Sequence, residues 1–162
     1  MISILRLYSR LKSQRNYKRS NAVTSVDFKV APKTKIFAEK LLTSFTPLRR
    51  QLVGSALLAE LGKSAGIFSE VALKVSATKQ YHKKKYGRMV WKQYGYYRPR
   101  SRYIYIQNRT AIRGKTLAPK TFLTTLLHEW MHHYDYEKLK IRSIHTKGFY
   151  QRISSLKQKL NI

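Results

Sequence analysis

The sequence predicts an α+β fold with N-terminal helices, a small β-sheet, a helix carrying the informative motif and a C-terminal helix. Apolar residues recur at helical spacing near both ends of the chain, and two short stretches between them read as strands. No internal repeat or low-complexity linker divides the 162 residues, which is the size of one domain. Residues 35 to 62 read as helix, with Ile36, Phe37, Leu41, Leu42, Leu48, Leu52 and Leu57 at helical spacing, broken in two at Pro47. Gly62 and Gly66 punctuate its end. Val71, Leu73 and Val75 alternate with Ala72 and Lys74 as in a short strand, and Lys79 to Arg102 reads as a loop or hairpin dense in charge and tyrosine. Tyr103-Ile104-Tyr105-Ile106 is a strand ending near Asn108. Pro119 suits a first helical turn, so Thr121 to Leu139 is predicted helical. A last helix runs from about Thr146 to Leu160 with Phe149, Ile153, Leu156 and Leu160 on one side.

Charge is the outlier of the composition. Lys and Arg total 34 against seven Asp and Glu, a formal charge of +27, which argues for an anionic partner, most often nucleic acid. Hydrophobic residues at 43% exclude a disordered chain. Without cysteine there is no disulfide, thiolate zinc ribbon, iron–sulfur cluster or thiol nucleophile, so a metal must be held by imidazole and carboxylate. No apolar run is long enough to span a bilayer. Residues 1 to 26 carry Arg6, Arg10, Lys12, Arg15, Lys18 and Arg19 with no acid before Asp27. We read residues 1–30 as a basic N-terminal arm or helix, with a mitochondrial transit peptide as the alternative. The corresponding location is cytoplasmic or nucleoid-associated, and mitochondrial on the alternative.

The segment His128-Glu129-Trp130-Met131-His132 is HExxH inside a predicted helix. Histidines four apart lie about 40° apart around a helix, so both imidazoles reach one ion, and Glu129 sits beside that ion where it can take a proton from water. Four of the five histidines lie between 128 and 145, whereas residues 71 to 128 contain no acid against 14 Lys and Arg. A carboxylate kept at 129 amid that depletion points to chemistry. A catalytic zinc needs a third protein ligand and an open position. Lys138 stands where a third histidine six residues after the second would be, and no acid follows Glu137, which leaves His145. Asp135 lies about 20° from His128 on the helical wheel; we assign it beside the ligands, as partner of an imidazole N–H, rather than on the metal. His133 points about 140° away from His128 and is read as a packing residue or a substrate contact. His82 is read as surface, and Trp130 and Met131 as core.

The stretch from Tyr103 to Phe149, above all Thr125-Leu126-Leu127-His128-Glu129-Trp130-Met131-His132 followed by His145-Thr146-Lys147-Gly148-Phe149, resembles the SprT-like metalloprotease family, which includes the Spartan-type DNA–protein crosslink proteases. The resemblance implies a minimal zincin-like domain over residues 31–162, one Zn2+ per chain on His128, His132 and His145, and Glu129 as general base. Two departures stand out. Family members often add a cysteine-built zinc ribbon, absent here, and Thr146-Lys147 precede Gly148 where many members place Gly directly after the histidine.

The expected function is zinc-dependent hydrolysis of peptide bonds in protein substrates at or near nucleic acid, with Tyr134, Tyr136, Tyr150 and Arg142 as candidate oxyanion donors. Lys83, Lys84, Lys85, Arg88, Lys92, Arg98, Arg100 and Arg102 can neutralise phosphate, and Tyr94, Tyr96 and Tyr97 can stack on bases, which favours single-stranded DNA. Two other readings are a non-enzymatic nucleic-acid-binding protein on the same scaffold and a metal-dependent hydrolase of another bond. Retention of Glu129 argues against the first, because structural zinc needs no such carboxylate.

Overall fold

Prolines and caps set the helix starts in this computed structural model, which describes residues 4–162. Helix α1 spans Ile4–Ala22. Pro32 opens α2 (Pro32–Leu42) and Pro47 opens α3 (Pro47–Ala65), each at a position where a missing N–H costs nothing. The Thr46 side chain caps α3 by accepting from the Arg49 N–H, and Gly66, at φ 67, closes it in the left-handed region. Pro119 opens α4 (Pro119–Glu137), and the Thr146 hydroxyl accepts from Phe149 N–H to start α5 (Lys147–Leu160). The chain is α+β, with five helices and a small mixed sheet among the described residues.

The sheet has three strands in the order β1 (Ala72–Lys79), β5 (Tyr103–Arg109), β4 (Gly95–Arg98). β1 pairs parallel with β5, and β4 pairs antiparallel with β5, placing β4 at an edge. Strands β2 (Tyr81–Lys85) and β3 (Arg88–Gln93) form a separate hairpin. Its two-residue turn, Tyr86-Gly87, has both φ angles positive (50° and 74°), the geometry that matches strand twist. The predicted charged stretch therefore divides: residues 81–93 form the separate hairpin, and β4 from the same stretch joins the main sheet.

Leu73, Val75, Ile104 and Ile106 point from the sheet onto α3 and α4, where Leu57, Leu61, Phe122, Leu126, Trp130 and Met131 are buried with them. Phe149, Ile153, Leu156 and Leu160 of α5 complete the core. Leu48 and Leu52 do not belong to it: they are 69% and 62% exposed, and Ile36 is exposed as well. The inward stripe of α3 runs through Arg50, Val53, Gly54, Leu57, Leu58 and Leu61, with a cation at its start. Arg50 is fully buried, donating to Ser44 O, Leu117 O and Asn108 Oδ1 while its guanidinium lies over the Phe122 ring. Burial lowers its pKa to about 10. No helix among the described residues is long and apolar enough to cross a membrane.

Candidate metal centre

Helix α4 places His128 and His132 one turn apart on the face that looks into a cleft of about 800 Å³. The chain then leaves α4, turns at Lys140, where φ is 52°, and returns His145 to the same point just before α5. His145 Nε2 lies 3.0 Å from His128 Nε2 and 3.1 Å from His132 Nε2. One ring nitrogen from each of the three falls within 4.8 Å of the other two, close enough to bind one metal ion. A tetrahedral ion at about 2.0–2.1 Å from each nitrogen sets them about 3.3–3.4 Å apart, a little wider than the two spacings to His145. One proton on His145 Nε2 can satisfy only one of its two neighbours, whereas one cation satisfies all three lone pairs.

The surroundings favour that charge state. Burial first, and then the neighbouring imidazoles, with Lys157 also near His128, lowers the pKa of His128 to about 4 and of His132 to about 3, so both rings are neutral at pH 7 and free to ligate. Phe149 is the floor of the cluster, its centroid 5.1, 4.7 and 5.2 Å from the rings of His128, His132 and His145. Its neighbour Gly148 has a separate task. A Cβ there would come within 2.3 Å of Ser20 O, so only glycine lets the end of α1 lie against the start of α5.

Asp135 does not touch an imidazole. Its Oδ2 accepts from Arg152 Nη2 and from Ser143 Oγ, both at 2.8 Å, and Ser143 Oγ lies 2.8 Å from His132 Nδ1. Because the serine proton goes to Asp135, its oxygen accepts from His132 Nδ1–H, and the Nε2 lone pair is left facing the cluster. Burial pushes the Asp135 carboxyl up from its ordinary value while Arg152 and Ser143 oppose it, and two donors on one oxygen suit a carboxylate. Ser143 and Arg152 are absent from the expectations drawn from sequence. Arg152, fully buried on the apolar stripe between Phe149 and Leu156, carries a visible signal, because a cation on such a stripe needs a partner.

Glu129 lines the cleft beside His128 and His132, 7% exposed, and burial raises its pKa to about 7. His133 is turned to the opposite side, where Nε2 donates to Ser69 O and Nδ1 accepts from the Tyr97 hydroxyl. It is a packing residue, as is Trp130. Of the four oxyanion candidates, Tyr134 is buried and donates to Asp27, Arg142 is exposed, Tyr150 is about half exposed near His128 and His145, and Tyr136 lines the cleft.

The basic segment divides. Lys83, Lys84, Lys85 and Arg88 stand exposed on the hairpin and Arg98, Arg100 and Arg102 on or after β4, while the Lys92 side chain lies outside the described residues. His82 is half-buried on β2. Tyr94 lines the cleft and Tyr96 stacks on Tyr105 at 5.3 Å. Tyr97 differs from the expectation: it points inward to His133, with its ring against Tyr136, because β4 alternates its side chains and Tyr97 falls on the helix side. Burial raises its hydroxyl pKa.

No family model matches the chain, and no curated protein or solved structure shows significant similarity to it.

Proposed function

We propose that this protein is a zinc-dependent peptidase acting on proteins held at or near nucleic acid. The observation that carries the reading is the convergence of three imidazole nitrogens beside a buried carboxylate in an open cleft. His128, His132 and His145 would hold a divalent ion, and the chemistry it would supply is a more acidic water and a polarised carbonyl oxygen. Glu129, with its pKa raised to about 7 by burial, would take a proton from the attacking water as that oxygen bonds to the carbonyl carbon, and would hand it to the amine nitrogen as the C–N bond breaks. Tyr136 is the cleft residue suited to donate toward the developing oxyanion.

A peptide is favoured over other hydrolysable groups by the cleft's own wall. Residues 93–97 line it, and they include the edge strand β4, whose side away from β5 has no strand paired to it among the described residues. Such an edge offers backbone hydrogen bonds to an extended chain, which a phosphodiester lacks. The resemblance of the HExxH and His145 segments to SprT-like proteases points the same way.

The test compares wild type with Glu129→Gln on casein, with and without single-stranded DNA. Cleavage is expected to fall roughly 10²–10⁴-fold while zinc content is unchanged. A Gln variant that cleaves like wild type, or a zinc-loaded wild type that cleaves no protein, would overturn the reading.

A further inference from the structure

The strands of the main sheet bury one face and leave the other open. On β5, Ile104, Ile106 and Asn108 turn inward, and Tyr103, Tyr105 and Gln107 turn outward. The register then builds rows across the outer face. Lys74 of β1 lies beside Tyr105, which lies beside Tyr96 of β4, and Tyr103 lies beside Arg98. Tyr96 and Tyr105 stack at 5.3 Å with planes 15° apart, Tyr103 is 6.5 Å from Tyr105, and the Arg98 guanidinium sits 4.9 Å from the Tyr96 centroid. These side chains are half-buried or exposed, whereas their inward neighbours are buried. Helices α3 and α4 pack on the inner face.

We propose that this outer face, with Tyr96, Tyr103, Tyr105, Lys74 and Arg98, is a docking platform for single-stranded nucleic acid. The proposal rests on the reading that the protein works at nucleic acid, and it names the surface. Three facts select that occupant. Every strand lies within residues 71–128, a stretch with no acid, and the face itself carries Lys74 and Arg98, so it presents cations to phosphate with no carboxylate to oppose them. Tyrosine rings accept unpaired bases by stacking, and a duplex keeps its bases stacked on each other. Three strands about 4.8 Å apart give room for two or three bases. The platform also adjoins the metal cleft, because Tyr96 belongs to both. A strand lying across Tyr96 thus reaches the rim of that cleft.

Fluorescence anisotropy with a labelled oligothymidine and a duplex of equal length, at several salt concentrations, tests this directly. Wild type is expected to prefer the single strand. Tyr103→Ala with Tyr105→Ala should weaken it about tenfold or more without changing the salt slope, and Tyr103→Phe with Tyr105→Phe should restore it. Lys74→Ala with Arg98→Ala should flatten the slope by about 0.7 for each phosphate no longer neutralised. Lys83→Ala with Lys84→Ala and Lys85→Ala should leave the tyrosine dependence intact. Circular dichroism and zinc content of each variant check folding, and if the alanine pair unfolds, the phenylalanine and Lys74/Arg98 variants still decide. Equal binding of duplex and single strand, or wild-type affinity in the folded tyrosine-to-alanine variant, overturns the platform. So does loss of all binding in the hairpin variant alone. Binding is read without cleavage: a platform that binds in a protein that cleaves nothing leaves this inference standing and removes the peptidase reading, and the reverse result separates them equally well.

Discussion

Ser143 has one proton and two neighbours that want it. Giving it to Asp135 obliges the hydroxyl oxygen to accept from His132, which fixes that ring with Nε2 free. Ser143→Ala is therefore expected to weaken zinc binding about 10–100-fold, as removal of a partner behind a metal ligand does, read by competition with a chromophoric chelator. Its Tm should stay close to wild type, because the Asp135–Arg152 pair remains. Unchanged zinc affinity would remove Ser143 from the site. Glu129 makes a second residue-scale prediction. Its ordinary pKa is 4.5 and burial raises it to about 7, so the folded state holds the proton more tightly than the unfolded chain. The corresponding stability is fully present below pH 4.5 and is lost as pH rises through 7. The metal-free Glu129→Gln variant should thus melt above metal-free wild type at pH 8 and converge with it near pH 4. Parallel melting curves across that range would contradict the assignment. At this scale the three-histidine cluster was legible, because HExxH spacing is local and elimination left one further histidine. The relay was not, because Ser143 and Arg152 meet Asp135 only after the chain has turned back between α4 and α5.

Among the elements, α1 holds the segment that carries His145. Asn16 bonds both backbone groups of Arg142, donating to its carbonyl at 2.8 Å and accepting from its N–H at 2.9 Å. Arg19 donates to Leu139 O, the Ser20 and Thr146 hydroxyls meet at 2.8 Å, and Asn21 Oδ1 accepts from Gly148 N–H. The segment from Leu139 to Gly148, with Ser143 and His145 in it, is clamped along its length. Gly148→Ala would force α1 off α5, because Ser20 O stands in the place of the new Cβ. It should cost about 1–3 kcal/mol of stability and also lower zinc affinity, measured by thermal melts and zinc titration together. A variant as stable and as tightly zinc-binding as wild type would show that the clamp is dispensable. The sequence suggested only a basic arm or helix over residues 1–30, because charge composition is blind to pairings between residues so distant in the chain. Helix positions and the strand pair were legible from proline, capping threonine and period. The buried stripe of α3 departs from the expected one at Leu48 and Leu52, since Arg50 occupies the inward position and satisfies itself on carbonyls.

Over the whole molecule, the chain's seven acids are unevenly placed. None lies between residues 71 and 128, which include the sheet and hairpin, while Glu129 and Asp135 are kept buried around the histidines. The α+β class and the basic character were readable at once. Which face carries the charge was not, because strand alternation decides it and the register exists only in the fold. The three imidazoles are expected to hold an ion. Metal content by mass spectrometry of the purified full chain, wild type beside His145→Ala, tests it most directly. One zinc per chain in wild type and a strongly depleted variant is the predicted result. No metal in wild type, or the same metal in both, would contradict the account.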